Sequence, residues 1–104
     1  MEAEHGPEGG DEINLIKLNN NKIPNYGWAI SSYGEHYYRY KKFAYSKYPL
    51  HKSHEKYGFI EPITYFVPSI GISQLVAIDE KNKTYIFGSM RDSSLYLLKL
   101  DENN

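Results

Sequence analysis

Asp11 and Glu12 stand side by side behind Gly9-Gly10, and carboxylates so placed are oxygen donors of the type a hard cation takes. As a bare pattern they read as an exposed acidic pair. Arg91, next to Asp92, carries a planar fork of N–H groups able to grip an anion through two parallel hydrogen bonds. By position alone it is a hairpin-turn cation. Tyr65 and Phe66 present rings that read as core packing in a strand. Tyr26 and Trp28 also read as core. His51 and His54 form an HxxH pair, but zinc needs three or four ligands and no cysteine or further histidine stands near. No metal is assigned there, and His36 receives no role.

The rest of the composition narrows the classes of function. The formal charge of -1 lacks the concentrated excess of Lys and Arg that phosphate binding needs, so nucleic acid is not an expected partner. A basic cluster (Arg39, Lys41, Lys42, Lys47, Lys52) is interleaved with tyrosines that could stack on single-stranded bases. Glu35 and Glu55 dilute its field, and it reads as a solvated insertion. No cysteine is present, which excludes disulfides and thiolate metal sites. The opening MEAEHGPEGG has neither a basic region nor an apolar run, so no signal peptide is expected. No apolar stretch is long enough to span a membrane. A hydrophobic share of 40% is globular rather than disordered, and a chain of 104 residues holds one small domain with a modest core.

The elements that must position these residues are strands. The first ten residues read as loop, and Ile13, Leu15 and Ile16 mark a strand from Glu12 to Lys17, ended by Asn19, Asn20 and Asn21. Tyr26, Trp28 and Ile30 alternate, which predicts a second strand from Tyr26 to Ser32 with one buried face. Residues 35–56 show no clean period and read as a long insertion, helical in part around 36–44. Phe59–Val67 is a further strand, with Pro62 and Pro68 at its limits. Ile72–Ile78, Thr84–Ser89 and Ser94–Leu100 are separated by polar connectors of hairpin length, and the chain closes on a polar DENN tail. The class is all-β, since no long helical pattern separates the strands. Four successive antiparallel strands with short connectors describe one propeller blade, although pattern alone leaves a sandwich open.

The order EHGPEGGDEINLI, NYGW, PSIGIS and YIFGSMRDSSLYLLKL resembles the soluble PQQ-dependent aldose sugar dehydrogenases, the glucose/sorbosone dehydrogenase family. The resemblance covers 1–104 except the insertion at 35–56, and implies part of a six-bladed β-propeller, incomplete in this chain. It implies PQQ and calcium as cofactors, an aldose sugar as substrate, an external electron acceptor as partner, and a periplasmic or secreted location. Calcium would be held by the main-chain carbonyls of Gly6 and Pro7, with further calcium roles for Glu12 and, through its backbone oxygen, Tyr26. Gly6, Pro7 and Arg91 would be the cofactor contacts, and Tyr65 and Phe66 would lie against the sugar.

The resemblance has gaps. The family's catalytic histidine and its Arg-Asn pair match nothing here, so no catalytic residue is assigned and the chain holds one wall of a site. Ala29 stands where the family has the proline of NYGWP, and NNNKIP lengthens the preceding loop. Two other readings stand beside the dehydrogenase portion. One is a non-catalytic propeller fragment that assembles with the remaining blades or with itself. The other is a carbohydrate-binding or interaction module using its eleven tyrosines.

Overall fold

The computed structural model describes residues 1–18, 21–37 and 41–101. The fold is all-β with little helix: two three-stranded antiparallel sheets, with a layer of loops and short helices against one of them. The first sheet has the order β1-β2-β3, from β1 (Glu2–Glu4), β2 (Asp11–Asn14) and β3 (Thr64–Phe66). The second has the order β4-β5-β6, from β4 (Ile72–Asp79), β5 (Thr84–Ser89) and β6 (Ser94–Lys99). Among the described residues between β2 and β3 lie one helix, α1 (Lys41–Lys47), and a 3-10 turn, Glu55–Tyr57.

Side chains alternate across a strand, so each strand of the first sheet serves two layers. Ile13 points to the second sheet and joins Ile70, Ile72 and Phe87 in the buried cluster, with Ala3, Phe66 and Leu75 at its margin. Glu12 and Tyr65, directly opposite one another in the β2–β3 register, point the other way, toward the loop layer. The second sheet packs its inner face through Leu75, Phe87 and Tyr96, which stand in one cross-strand row. Phe87 and Tyr96 stack at 5.3 Å, and Phe66 meets both rings. The molecule measures only 47 × 39 × 17 Å, which leaves room for a small core.

The three C-terminal strands form where the alternation predicts them. Elsewhere the strands differ from expectation. Residues 2–4, read as loop, form β1 because β2 offers them a partner. The strand expected at Glu12–Lys17 is Asp11–Asn14, and that at Phe59–Val67 is reduced to Thr64–Phe66. Segment 26–32 is not a strand: Trp28 to Ile30 form a turn, and Trp28 is 59% exposed rather than core. Its alternation is real, but Ile30 and Ser31 hydrogen-bond back to Gly27 instead of to a neighbouring strand. β3 pairs with β2 rather than β4, so the four successive strands split between two sheets. The helix is Lys41–Lys47, overlapping the end of the expected 36–44. Asn19, Asn20, the Tyr38–Tyr40 part of the basic cluster and the last three residues of the polar tail fall outside the described residues.

Candidate functional site

Asp11 is the junction of the structure. Its Oδ1 accepts the Gly6 N–H at 3.0 Å and the Ser69 hydroxyl at 2.7 Å, and its Oδ2 accepts the Ile72 N–H at 3.1 Å. Burial alone would raise this carboxyl, but the bonds from Ser69, Ile72 and Gly6 outweigh it and hold Asp11 below its ordinary value. An ionised side chain only 1% exposed therefore ties the N-terminal turn to the loop that opens β4. The turn it secures is tight. A Cβ on Gly6 would lie 2.1 Å from the Gly9 carbonyl oxygen and 2.5 Å from that of Gly10, so only glycine fits.

On the other side of the same loop sits the β5–β6 turn. Met90 and Arg91 donate their N–H groups to the Gly71 and Ile70 carbonyls, and the Ser89 hydroxyl donates to Ile70 as well. The Arg91 guanidinium reaches the Ser69 carbonyl at 3.1 Å through one nitrogen. Arg91, Tyr65, Phe66 and Ser69 border a shallow depression of about 500 Å³. Phe66 turns most of its ring to Phe87 and Tyr96, whereas Tyr65 is half-exposed and stacks on Tyr33 at 3.8 Å. A larger depression, about 720 Å³, lies at Leu15, Ile23, Tyr26 and Ile60, remote from this junction and lined mostly by apolar groups.

The opposite face of the first sheet is built around Glu12. Its Oε1 lies 3.2 Å from Nε2 of His54, a ring with no solvent exposure. Glu61 flanks the same histidine at 3.8 Å, accepts the backbone N–H groups of His54 and Glu55, and accepts the Tyr33 hydroxyl at 2.6 Å. Burial pushes the Glu12 carboxyl up to about 8, with Glu4, Glu2 and Glu61 adding to the rise against an opposing bond from Asn14. Burial also holds the His54 imidazole below its ordinary value, against the pull of Glu61. At neutral pH the pair thus shares one proton and carries no net charge.

The expected site residues fall into two groups. The structure ties the Gly6-Pro7 turn, Ser69 and Arg91 together through Asp11 and Ser69, with Phe66 beside them, while Tyr65, which points to the loop layer, reaches the rim of the depression next to Arg91. Glu12 and Tyr26 lie on the loop-layer side. Tyr26 donates its hydroxyl to the Leu15 carbonyl at 2.9 Å, and the next residue, Gly27, packs on the His54 ring. Asp11 and Glu12 are not the exposed pair their pattern suggests, because β2 is covered on both faces. His51 stacks on Tyr57 at 3.6 Å, and His36 meets the Tyr48 carbonyl. Sequence reasoning missed two residues, Asp11 as the anchor and His54 as the partner of Glu12. The only signal was Ser and backbone donors in PSIGIS for the first, and none in sequence for the second.

Both cofactors implied by the resemblance can be tested against this chemistry. Among the described residues, neither the Gly6 nor the Pro7 carbonyl accepts a backbone hydrogen bond, and carbonyls on a tight turn are suitable calcium ligands. Arg91 commits one N–H to Ser69 and, among the described residues, enters no ion pair, which leaves donors for an anionic ligand. No three His, Asp or Glu side chains converge as a closed metal site among the described residues. The turn and the arginine therefore fit calcium and a carboxylated quinone as open, partial contacts.

The Glucose / Sorbosone dehydrogenase family model matches residues 1–104. An uncharacterized protein, slr1608, of Synechocystis sp. is 31% identical over 107 residues, covering 98% of this chain and 23% of that protein. The aldose sugar dehydrogenase YliI of Escherichia coli is 28% identical over 104 residues, covering 94% of this chain and 25% of that enzyme. No solved structure gives a significant match. The chain spans about a quarter of the length of these relatives. By a match that runs its full length, this chain belongs to the glucose/sorbosone dehydrogenase family.

Proposed function

We propose that these 104 residues form the cofactor-side wall of a PQQ-dependent aldose sugar dehydrogenase. The observation that carries the reading is the junction at Asp11, which joins the Gly6-Pro7 turn, Ser69 and, through Ser69, Arg91. A buried carboxylate with three donors is a rigid support, and a site held by such a support keeps its geometry. Gly6 and Pro7 would offer carbonyl oxygens to calcium, and Arg91 would hold the carboxylate or carbonyl oxygens of the quinone. When bound, the quinone supplies the two-electron acceptor for oxidation at the anomeric carbon, and electrons pass on to an external acceptor. Tyr65 would present its exposed ring to the sugar, with Phe66 fixing the strand beneath it. No residue here is assigned the proton abstraction.

The incomplete propeller is supported by the outer face of the second sheet. Val76, Ile78, Leu95 and Leu97 all stand exposed there. Such a face is unfavourable in water and suits a neighbouring blade. Location in the periplasm or outside the cell belongs to the same family reading. Among the described residues, no helix is long and apolar enough to cross a membrane.

The test is PQQ titration of the intact protein with calcium present, comparing wild type with Arg91→Ala and Arg91→Lys, followed by dye reduction with aldoses. Loss of a charged, two-pronged contact should weaken PQQ binding by roughly tenfold to a hundredfold in Arg91→Ala. Lysine should recover only part of it. Unchanged PQQ affinity in Arg91→Ala would remove the cofactor role of this turn.

A further inference from the structure

The turn between β4 and β5 serves neither the Asp11 junction nor the core, and with the first residue of β5 it reads Glu80-Lys81-Asn82-Lys83-Thr84. Asn82 is followed two positions later by a threonine, with a lysine rather than a proline between them. That spacing is the acceptor pattern for attachment of a glycan to asparagine in an exported protein. Asn14, Asn19, Asn20, Asn21 and Asn25 have neither serine nor threonine two positions on. The pattern is short, so its surroundings decide whether a transferase can use it.

Those surroundings are open. The Lys83 N–H donates to the Glu80 carbonyl at 3.2 Å, which closes a tight turn with Asn82 exposed at its tip. Asp79 takes the Asn82 backbone N–H at 3.1 Å through Oδ1 and the side-chain Nδ2 at 2.7 Å through Oδ2. Nδ2 carries two hydrogens, and the bond to Asp79 uses one of them. The Thr84 hydroxyl stays within the pattern, donating to the Asn82 carbonyl at 3.2 Å. Beside the tip lies an open depression of about 530 Å³ bordered by Lys81, Asn82, Lys99 and Asp101, with room for a first sugar residue. The six residues of β5, roughly 20 Å of strand, separate this tip from the Arg91 turn, so a glycan on Asn82 stands clear of the Asp11 junction.

We propose that Asn82 is a glycan acceptor, modified from a polyprenyl-diphosphate-linked oligosaccharide when the protein is exported. Nδ2 forms the new bond to the anomeric carbon of the first sugar, and the bond from that carbon to the phosphate oxygen breaks. The polyprenyl diphosphate leaves with the electron pair, and the displaced amide proton passes to a base of the transferase. Nothing is oxidised or reduced. The substituted amide keeps one N–H, so its bond to Asp79 survives the attachment. Placed at the tip of the hairpin, the glycan adds a solubilising group there while leaving the exposed Val76, Ile78, Leu95 and Leu97 open to the neighbouring blade proposed above. The inference rests on the reading above that locates the protein in the periplasm or outside the cell.

The experiment is mass spectrometry of the full chain recovered from the exported and cytoplasmic fractions of its native cells, on the intact protein and on the peptide that contains Asn82. Variants are Asn82→Gln, Thr84→Val and Thr84→Ser. The expected result is an exported protein heavier than its sequence by whole sugar residues, with the added mass on Asn82. Asn82→Gln and Thr84→Val should return to the bare mass, the second while keeping a β-branched side chain at the start of β5. Thr84→Ser keeps the hydroxyl and should retain the glycan, which shows that a loss in Thr84→Val is not misfolding. An exported protein of bare mass, or a glycan that persists in Asn82→Gln, overturns the inference and leaves the location reading standing. Recovery of the protein from the cytoplasmic fraction alone overturns both.

Discussion

Asp11 and Glu12 are neighbours in one strand, almost equally buried at 1% and 3% exposure, yet their carboxyls move in opposite directions. Asp11 faces the second sheet and receives three hydrogen bonds, so its charge is favoured. Glu12 faces the loop layer among Glu4, Glu2 and Glu61, and its proton is held up to about 8. Burial disfavours both charges, and the donors aimed at each one decide the sign. The two faces of one short sheet thus do different work. One fixes the turn and the arginine in place. The other gathers carboxylates whose repulsion a proton on Glu12 relieves.

The largest effect expected from this contrast is on the Asp11 side. Asp11→Ala strips the acceptors from Gly6, Ser69 and Ile72 at once and leaves the buried Ile72 N–H and the half-buried Gly6 N–H unpaired. Hydrogen bonds to a charged group contribute about 1.5–3 kcal/mol each, so the loss of unfolding free energy should be on the order of 3 kcal/mol or more. Asp11→Asn, which keeps one acceptor, should lose less. Urea denaturation reads both, and a loss under about 1 kcal/mol in Asp11→Ala would erase the distinction between the two faces.

The pH dependence should be of opposite sign on the two faces, measured with a chelator present. Asp11 has a lowered native pKa, so its contribution is present above its unfolded value of 3.8 and is lost as pH falls through the lower native one. Glu12 and His54 must be taken as a pair. The native pair keeps one proton up to about 8, whereas the unfolded pair gives up its last proton near the histidine value of 6.5. Stability from this pair should therefore fall as pH rises from 6.5 to about 8, by roughly 2 kcal/mol across that window. Glu12→Gln removes the titrating proton and should flatten this limb while leaving the acid limb of Asp11 intact. A wild-type curve that rises through the same window would contradict the protonated state assigned to Glu12.

How far this division could be read from sequence depends on the range of the contacts involved. The hairpins of β4, β5 and β6 were legible because strand alternation and short polar connectors are local properties, and Leu75, Phe87 and Tyr96 pack as their periodicity predicts. The family was legible through the order of motifs that carry Gly6, Pro7 and Arg91, since the turn and the hairpin each carry their own residues. Tyr26 to Ser32 misled because alternation reports a pattern and not a partner, and among the described residues the segment makes only an isolated bridge, from Ser31 to His51. The burial of Glu12 and the place of His54 depend on a contact across more than forty positions through an insertion without a period. No window of sequence contains such a contact. The opposite shifts of Asp11 and Glu12 were hidden for the same reason, because the groups that set them arrive from distant positions: donors from Ser69 and Ile72 for Asp11, and the burying loop layer with the Glu61 carboxylate for Glu12.

The smallest effect should come from the group that closes the Glu12 face without touching Glu12's own proton. Tyr33 does two things there: its hydroxyl donates to Glu61 at 2.6 Å, and its ring stacks on Tyr65 at 3.8 Å. Burial and the Glu61 carboxylate keep that hydroxyl protonated well above the ordinary tyrosine value, so the bond persists throughout the working pH range. Tyr33→Phe removes the donor and keeps the stack. Glu61 retains the backbone N–H groups of His54 and Glu55, so the carboxylate is not orphaned, and the loss should be about 1–2 kcal/mol. Tyr33→Leu removes the stack as well and should lose a further ~1 kcal/mol. Thermal or urea unfolding of the two variants separates the contributions. If Tyr33→Phe matched Tyr33→Leu, the hydroxyl alone would hold the loop layer to the sheet. If Tyr33→Phe were neutral, the layer would be held by the ring and by Glu61's backbone donors, and the polar character of this face would end at His54.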